Sequence, residues 1–279
     1  MTRLFCLTFV VALAGHLPIH AQEKKDPPKH FTNSLGMKFV WIPPGSFMMG
    51  SPKEEKGRFD YESPQHKVTL TKGFYMGVHP VTQEQWQEVM GNNPSRFKYE
   101  KNLPVEEVSW DDCQEFIKNL REKDKKLYRL PTEAEREYSA RAGTKTAYYF
   151  GDDSSMLGQY AWFLDNSEKK THPVGQKKPN QWGLYDMHGN VWQWCQDWYG
   201  EYPQKDVVDP QGPDKGKLRV QRGGSWFTSP AGCRSAYRFI NEPGSRNLGP
   251  GGGLGESTGA TKGAEAAGHF GCRVCFSVE

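Results

Sequence analysis

The stretch that decides the fold is WGLYDMHGNVWQWCQDWY, residues 182–199. It holds Trp182, Trp192, Trp194 and Trp198, four of the nine tryptophans, and follows a polar run containing proline. Indoles at this density bury large apolar areas, which places the segment in the core. In its middle, Gly189 and Asn190 are residue types that tolerate positive φ, so a tight backbone turn is expected beneath the rings. Such a turn presents carbonyls, and Asp186, Asn190 and Asp197 add side-chain oxygens, which makes the stretch a candidate hard-cation site. The alternative is that Asn190 only closes the turn.

Working outward, 279 residues with 36% hydrophobic and 13% aromatic content can bury a full core, yet the chain carries 30 Gly and 19 Pro. That balance favours one loop-rich domain over a helical bundle or a regular α/β array. The formal net charge is +3 and the two signs are interspersed, so no nucleic-acid footprint is present. Arg3 followed by the apolar run Leu4–Ala14 and a small residue at Ala21 reads as a secretory signal peptide over residues 1–21. A charged, Pro-containing linker at 22–32 then leads to a domain at 33–279. The apolar run is short for a transmembrane span, so the expected location is exported, periplasmic or secreted. Cys6 falls in the leader. In an oxidising compartment the other five cysteines (113, 195, 233, 272 and 275) predict two disulfides and one thiol.

Phe39–Ile42 and Phe47–Met49, flanking Pro43-Pro44-Gly45-Ser46, read as a hairpin, and His66–Leu70 alternates as a further strand. Three helix starts are signalled by capping residues: Thr82 with Gln85, Ser109 before Trp110, and Thr132 with Glu135. Cys113, Phe116, Ile117 and Leu120 recur at helical spacing, which turns Cys113 to the core. Glu133, Glu135 and Glu137 could be taken for an acid/base set, but carboxylates in a first helical turn are accounted for by the helix dipole. Leu218–Trp226 reads as a strand running into a Gly-Gly bend, and Cys272–Phe276 as the last strand. Between them Gly249–Gly268, with eight glycines and almost no large apolar side chain, reads as a loop-forming insert. Generic catalytic motifs are missing: there is no HExxH, GxSxG, P-loop or GxGxxG, and Cys272 and Cys275 make a single CxxC.

Taken in order, GMKFVWIPPGSFMMGS, HPVTQEQWQEVMG, LPVEEVSWDDC, YRLPTEAEREYSARAG, WGLYDMHGNVWQW, RGGSW and CRSAYR resemble the formylglycine-generating enzyme family, also called the sulfatase-modifying factor domain. The resemblance covers about residues 33–247 and the last few residues. It implies an α+β, complex C-type-lectin-like fold with low regular secondary structure and bound calcium. In the family's catalytic members two cysteines after the GGS segment bind copper(I) and, with oxygen, convert a cysteine in a CxPxR motif of a sulfatase into formylglycine.

Counted without gaps from Gly223-Gly224-Ser225, the resemblance puts Thr228 at the first cysteine position and Cys233 at the second. Aligned instead on Arg234-Ser235-Ala236-Tyr237-Arg238, Cys233 falls outside the pair, and either way the candidate catalytic thiol has an incomplete pair. The family's GNxWEW calcium motif falls on Gly189, Asn190, Val191 and Gln193, with glutamine at the acidic position. If the fold is as implied, Cys195 and Cys233 are neighbours and pair, and Cys113 pairs with Cys275 or Cys272. Two functions follow from the resemblance. One is an exported, sulfatase-modifying oxidoreductase; the other is a noncatalytic lectin-like domain that binds a peptide, glycan or partner enzyme.

Overall fold

A computed structural model describes Met1 and residues 27–247 and 267–278. The expected leader, the start of the linker and most of the Gly249–Gly268 insert lie outside the described residues. Along the described chain run β1 (His30–Thr32), β2 (Lys38–Ile42), β3 (Gly45–Met49), β4 (His66–Leu70), β5 (Phe74–Gly77), α1 (Gln83–Met90), α2 (Trp110–Asp124) and β6 (Tyr128–Arg129). They are followed by α3 (Glu133–Arg141), β7 (Trp192–Trp198), β8 (Val207–Val208), β9 (Arg219–Arg222), β10 (Arg238–Asn241), β11 (Phe270–Gly271) and β12 (Cys275–Ser277). The result is a mixed α+β architecture with short elements and long connections.

The three helices start and stop where local chemistry says they should. Thr82, Ser109 and Thr132 each accept a backbone N–H three residues on, and Gln85, Asp112 and Glu135 return the bond to the cap. Gly91 closes α1 in the left-handed conformation.

Three sheets carry the fold, in the orders β1-β2-β5-β12-β6, β10-β9-β7-β11 and β3-β4-β8. The expected hairpin of Phe39–Ile42 with Phe47–Met49 is not formed. β2 pairs with β1 and β5, whereas β3 pairs with β4 in a different sheet. Pro43 and Pro44 lack N–H donors and turn the chain out of the first sheet instead of folding it back. The 22–32 linker is also shorter than expected, because its last residues, His30–Thr32, pair with Lys38–Val40.

The quoted stretch sits at the centre. Gly189 and Asn190 have φ of 72° and 63°, and β7 follows with Trp192, Trp194 and Cys195 fully buried. Trp192 stacks on Phe239 at 4.8 Å, and Trp194 meets Phe270 edge-on at 5.5 Å.

All five described cysteines are free thiols. The expected Cys195–Cys233 bridge is absent because the two thiols have different surroundings. Cys195 lies near Asp197, Glu133, Arg222 and Arg136, and Cys233 near Gly189, Thr228 and Gly224. Of the two expected partners of Cys113, Cys275 lies elsewhere, with Arg129 Nη1 donating to it at 3.1 Å, and the alternative, Cys272, is the hydrogen-bonded neighbour of Cys113 without a disulfide.

Candidate functional site

The site is built on the turn that follows β9. Gly223 and Gly224 have φ of 100° and 82°, which L side chains rarely adopt. The same turn is tight in space, since a Cβ on Gly224 would lie 2.6 Å from Cys233 Sγ. It is pinned to the central stretch by Gly189 N–H donating to Gly223 O at 2.7 Å and Trp226 N–H to Asn190 O at 2.9 Å.

The two positions of the candidate pair, Thr228 and Cys233, are both sealed behind this turn. Thr228 is 1% exposed, and its hydroxyl oxygen accepts Ser225 N–H at 2.9 Å and lies 3.0 Å from Ser225 Oγ. Ser225 Oγ in turn stands 3.0 Å from His269 Nδ1. Cys233 has no exposed surface, and burial pushes its thiol far above the ordinary range, against a smaller opposite pull from Gly189 N–H. Copper(I) chemistry asks for two thiolates, and this pair offers one protonated thiol and one committed hydroxyl. The donor set does not fit copper.

In front of the seal lies an open groove of about 970 Å³. Glu54, Lys56, Lys145, Asp152 and Asp153 line it, so charges of both signs face the space. Tyr148 forms part of its wall and donates its hydroxyl to Pro230 O at 2.8 Å. Arg234 is fixed by Glu55 at 2.5 Å and by both oxygens of Glu62, at 2.8 and 2.5 Å. Pro230, Ala231 and Arg234 line the groove, while Gly232 and Cys233 stay behind it.

One of the expected calcium ligands, Gln193, holds protein cations instead. Arg136 Nε and Arg273 Nε both donate to Gln193 Oε1, at 3.1 and 2.8 Å, and all three residues are buried. Arg273 further donates to the carbonyls of Gly77, Val78 and Tyr185 at 2.6–2.9 Å. Burial pulls the Arg136 pKa down to about 10 and that of Arg273 well below its usual value. Asn190 is spent on its neighbours: its amide donates to His172 O at 2.9 Å, and its carbonyl serves Trp226. The calcium expectation for Gly189, Asn190, Val191 and Gln193 thus fails on charge, because a divalent ion would face two guanidinium groups. Asp186 joins Asn190 and Gln193, its Oδ1 accepting Asn190 Nδ2–H at 3.3 Å and its carbonyl accepting Gln193 Nε2–H at 2.8 Å, whereas Asp197 stands apart. Asp186 accepts Gly175 N–H at 2.8 Å, and Asp197 accepts Glu133 N–H at 2.8 Å. Among the described residues no three His, Cys, Asp or Glu side chains converge as metal ligands.

Sequence reading missed the buried ion network under the groove. All nine residues of α3 are buried. Arg238 grips Glu133 with two bonds of 2.6 and 2.8 Å, Arg222 bridges Glu133 at 3.0 Å and also pairs with Glu137, and Arg141 reaches Glu137 at 2.8 Å. Burial alone would raise the Glu133 carboxyl, but Arg238 and Arg222 hold it below the ordinary value. These carboxylates are therefore acceptors in a structural network. The available signal was the pairing of three glutamates in a helix poor in apolar residues with arginines alternating in RGGSW and CRSAYR.

The sequence profile described as "Sulfatase-modifying factor enzyme 1-like domain" matches residues 24–251. The chain belongs to this family. It is 33% identical over 212 residues to chaperone protein LppX of Paenibacillus barcinonensis, covering 58% of this chain and 72% of that one. Serine/threonine-protein kinase pkn1 of Chlamydia pneumoniae is 32% identical over 82% of this chain, which spans 39% of the kinase's length. Formylglycine-generating enzyme of Streptomyces coelicolor is 36% identical over 53% of this chain and 51% of its own. Among solved structures, Treponema denticola variable protein 1 superposes with a TM-score of 0.75 at 29% identity, covering 90% of this chain and all of that one. The α+β, C-type-lectin-like fold of the sulfatase-modifying factor family is therefore the fold of this domain, and no helix among the described residues is long and apolar enough to cross a membrane.

Proposed function

We propose that this chain is an exported, noncatalytic member of the sulfatase-modifying factor family that recognises a polypeptide, either a sulfatase or another protein. The observation that carries the reading is the separation of thiol from groove: Cys233 is fully buried behind the turn, which pushes its thiol up, Thr228 stands where a second thiolate would be needed, and the space in front stays open. Loss of one of the two thiolates needed for copper, with retention of a groove, favours recognition over oxidation. The chaperone named among the relatives supports a partner-binding role. Export rests on the leader-like residues 1–21 alone.

The test uses purified full-length protein, copper(I), oxygen and a CxPxR peptide. Copper(I) titration is expected to show no tight site, and mass spectrometry no formylglycine. Formation of the aldehyde would sink the proposal and return Cys233 to the role of reactive thiol.

A further inference from the structure

Beside the groove, and joined to it through Pro52 and Lys145, lies a second hollow of about 490 Å³. Its floor is aromatic. Phe47 and Tyr138 have ring centroids 5.3 Å apart, and Trp182 meets Tyr138 edge-on at 4.8 Å. Side chains alternate along β3, so Phe47 and Met49 share the inward face opposite the exposed Ser46 and Met48; Met49 is buried, while Phe47 on the same face stays half-buried and lines the hollow. Tyr138 is held from beneath by α3. On the rim Met48 is 37% exposed, and it lies directly across the β3–β4 ladder from the exposed Lys67. Lys145 stands at the junction with the groove. Arg141, the remaining cation of the lining, is committed to Glu137. No carboxylate lines this hollow.

An aromatic floor under two exposed ammonium groups has a definite complement. We propose that the hollow is a specificity subsite for the bound polypeptide, receiving a large apolar side chain, aromatic, Leu or Met, whose neighbouring residue is Asp or Glu. The proposal rests on the polypeptide-binding reading and adds the chemistry of what is read. The apolar side chain gains by leaving water for a preformed concave surface, and such anchors dominate interface energy. The adjacent carboxylate meets Lys67 and Lys145, which fixes register more than affinity. A polypeptide suits this lining better than a neutral sugar, whose hydroxyls need carboxylate acceptors that the hollow lacks. The continuity of hollow and groove lets one extended segment occupy both.

The experiment selects a phage-displayed library of random linear peptides on the immobilised full chain, then measures the recovered peptides in solution by fluorescence anisotropy. Wild type is compared with Lys67→Glu and Met48→Lys, at exposed positions outside the core, and with Asp153→Lys in the groove, each checked for native circular dichroism. Enrichment of a large apolar residue beside Asp or Glu is expected, with binding weakened at least about tenfold by either hollow variant. Replacing the peptide's acid with Lys is expected to restore binding to Lys67→Glu. Peptides that lack this signature, or that bind both hollow variants unchanged, overturn the subsite. If those same peptides are lost on Asp153→Lys, the groove reading survives without it. Recovery of no groove- or hollow-dependent peptide removes both. Sugar binding on a glycan array, abolished by Met48→Lys, would overturn the choice of occupant.

Discussion

Arg273 donates its Nε–H to Gln193 Oε1 at 2.8 Å, and neither side chain has any exposed surface. Because Arg136 claims the same oxygen, one neutral amide anchors two buried cations. Its Nε2 donates to Asp186 O at 2.8 Å, so both ends of the amide are used. Glutamine supplies the acceptor and the donor at once, which a carboxylate cannot do.

The first expected outcome concerns metal. Melting temperature should be the same in excess calcium and in excess chelator, as read by differential scanning calorimetry. Gln193→Leu strips the shared acceptor from two buried guanidiniums and should cost about 3 kcal/mol in denaturant titrations. A calcium-dependent rise in the wild-type melting temperature would refute the assignment.

A second outcome separates the carboxylates of α3. Glu133 serves Arg222, Arg238 and Tyr202, so Glu133→Gln should destabilise by about 3–5 kcal/mol. Glu135 pairs with the partly exposed Arg129, at 2.6 and 2.7 Å, and accepts Thr132 N–H, a bond that glutamine can keep, so Glu135→Gln should cost about 1 kcal/mol. Equal losses would show that the network is not the reason for the burial.

Gly224 offers a third. A methyl group there meets both a φ of 82° and the Cys233 sulfur, so Gly224→Ala should lose at least about 2 kcal/mol. Adding Cys233→Ala removes the sulfur but leaves the backbone strain, and recovery should be partial. In the wild type, iodoacetamide should leave all five described cysteines unlabelled until the protein unfolds, read by peptide mapping.

The pH dependence follows from Asp197. Burial first, then the neighbouring Glu133 charge, raises its carboxyl to about 8 from the ordinary 3.8. The folded protein thus keeps a proton that the unfolded chain gives up, so this group's contribution is complete below about pH 4 and is lost as the pH climbs to about 8. His188 acts oppositely: burial lowers it to about 3, so its contribution is lost as pH falls below about 6.5. Asp197→Asn preserves an acceptor for Glu133 N–H and removes the titration. Wild-type stability minus that of the variant should therefore fall between about pH 4 and pH 8 in urea titrations. A flat difference would mean that Asp197 is ionised in the fold.

What could be read along the sequence was what acts over a few residues. The three capped helices, the turn at Gly189-Asn190 and the Gly-Gly bend were legible because each is fixed by its own neighbours. The strand pairing of Phe47–Met49 was not, because Pro43 and Pro44 signal a change of direction without saying to which sheet the chain goes. The candidate site was half legible. Cys233 and Thr228 could be placed by counting, but the seal over them depends on Gly189, Gly224 and His269, which only the fold brings together. The partners of Gln193 come from α3 and from the segment just before β12, a convergence that no local pattern announces.

The position of β12 has a further consequence. It lies between β5 and β6, with Cys275 opposite both Met76 and Arg129. The gap between β5 and β6 in the first sheet therefore closes only once residues 275–277 have been made; until then Met76, opposite Val40 on one side, has no partner on the other. Closing that sheet requires a pairing between residues far apart in the sequence, Met76 and Cys275, the kind of non-local contact that slows folding.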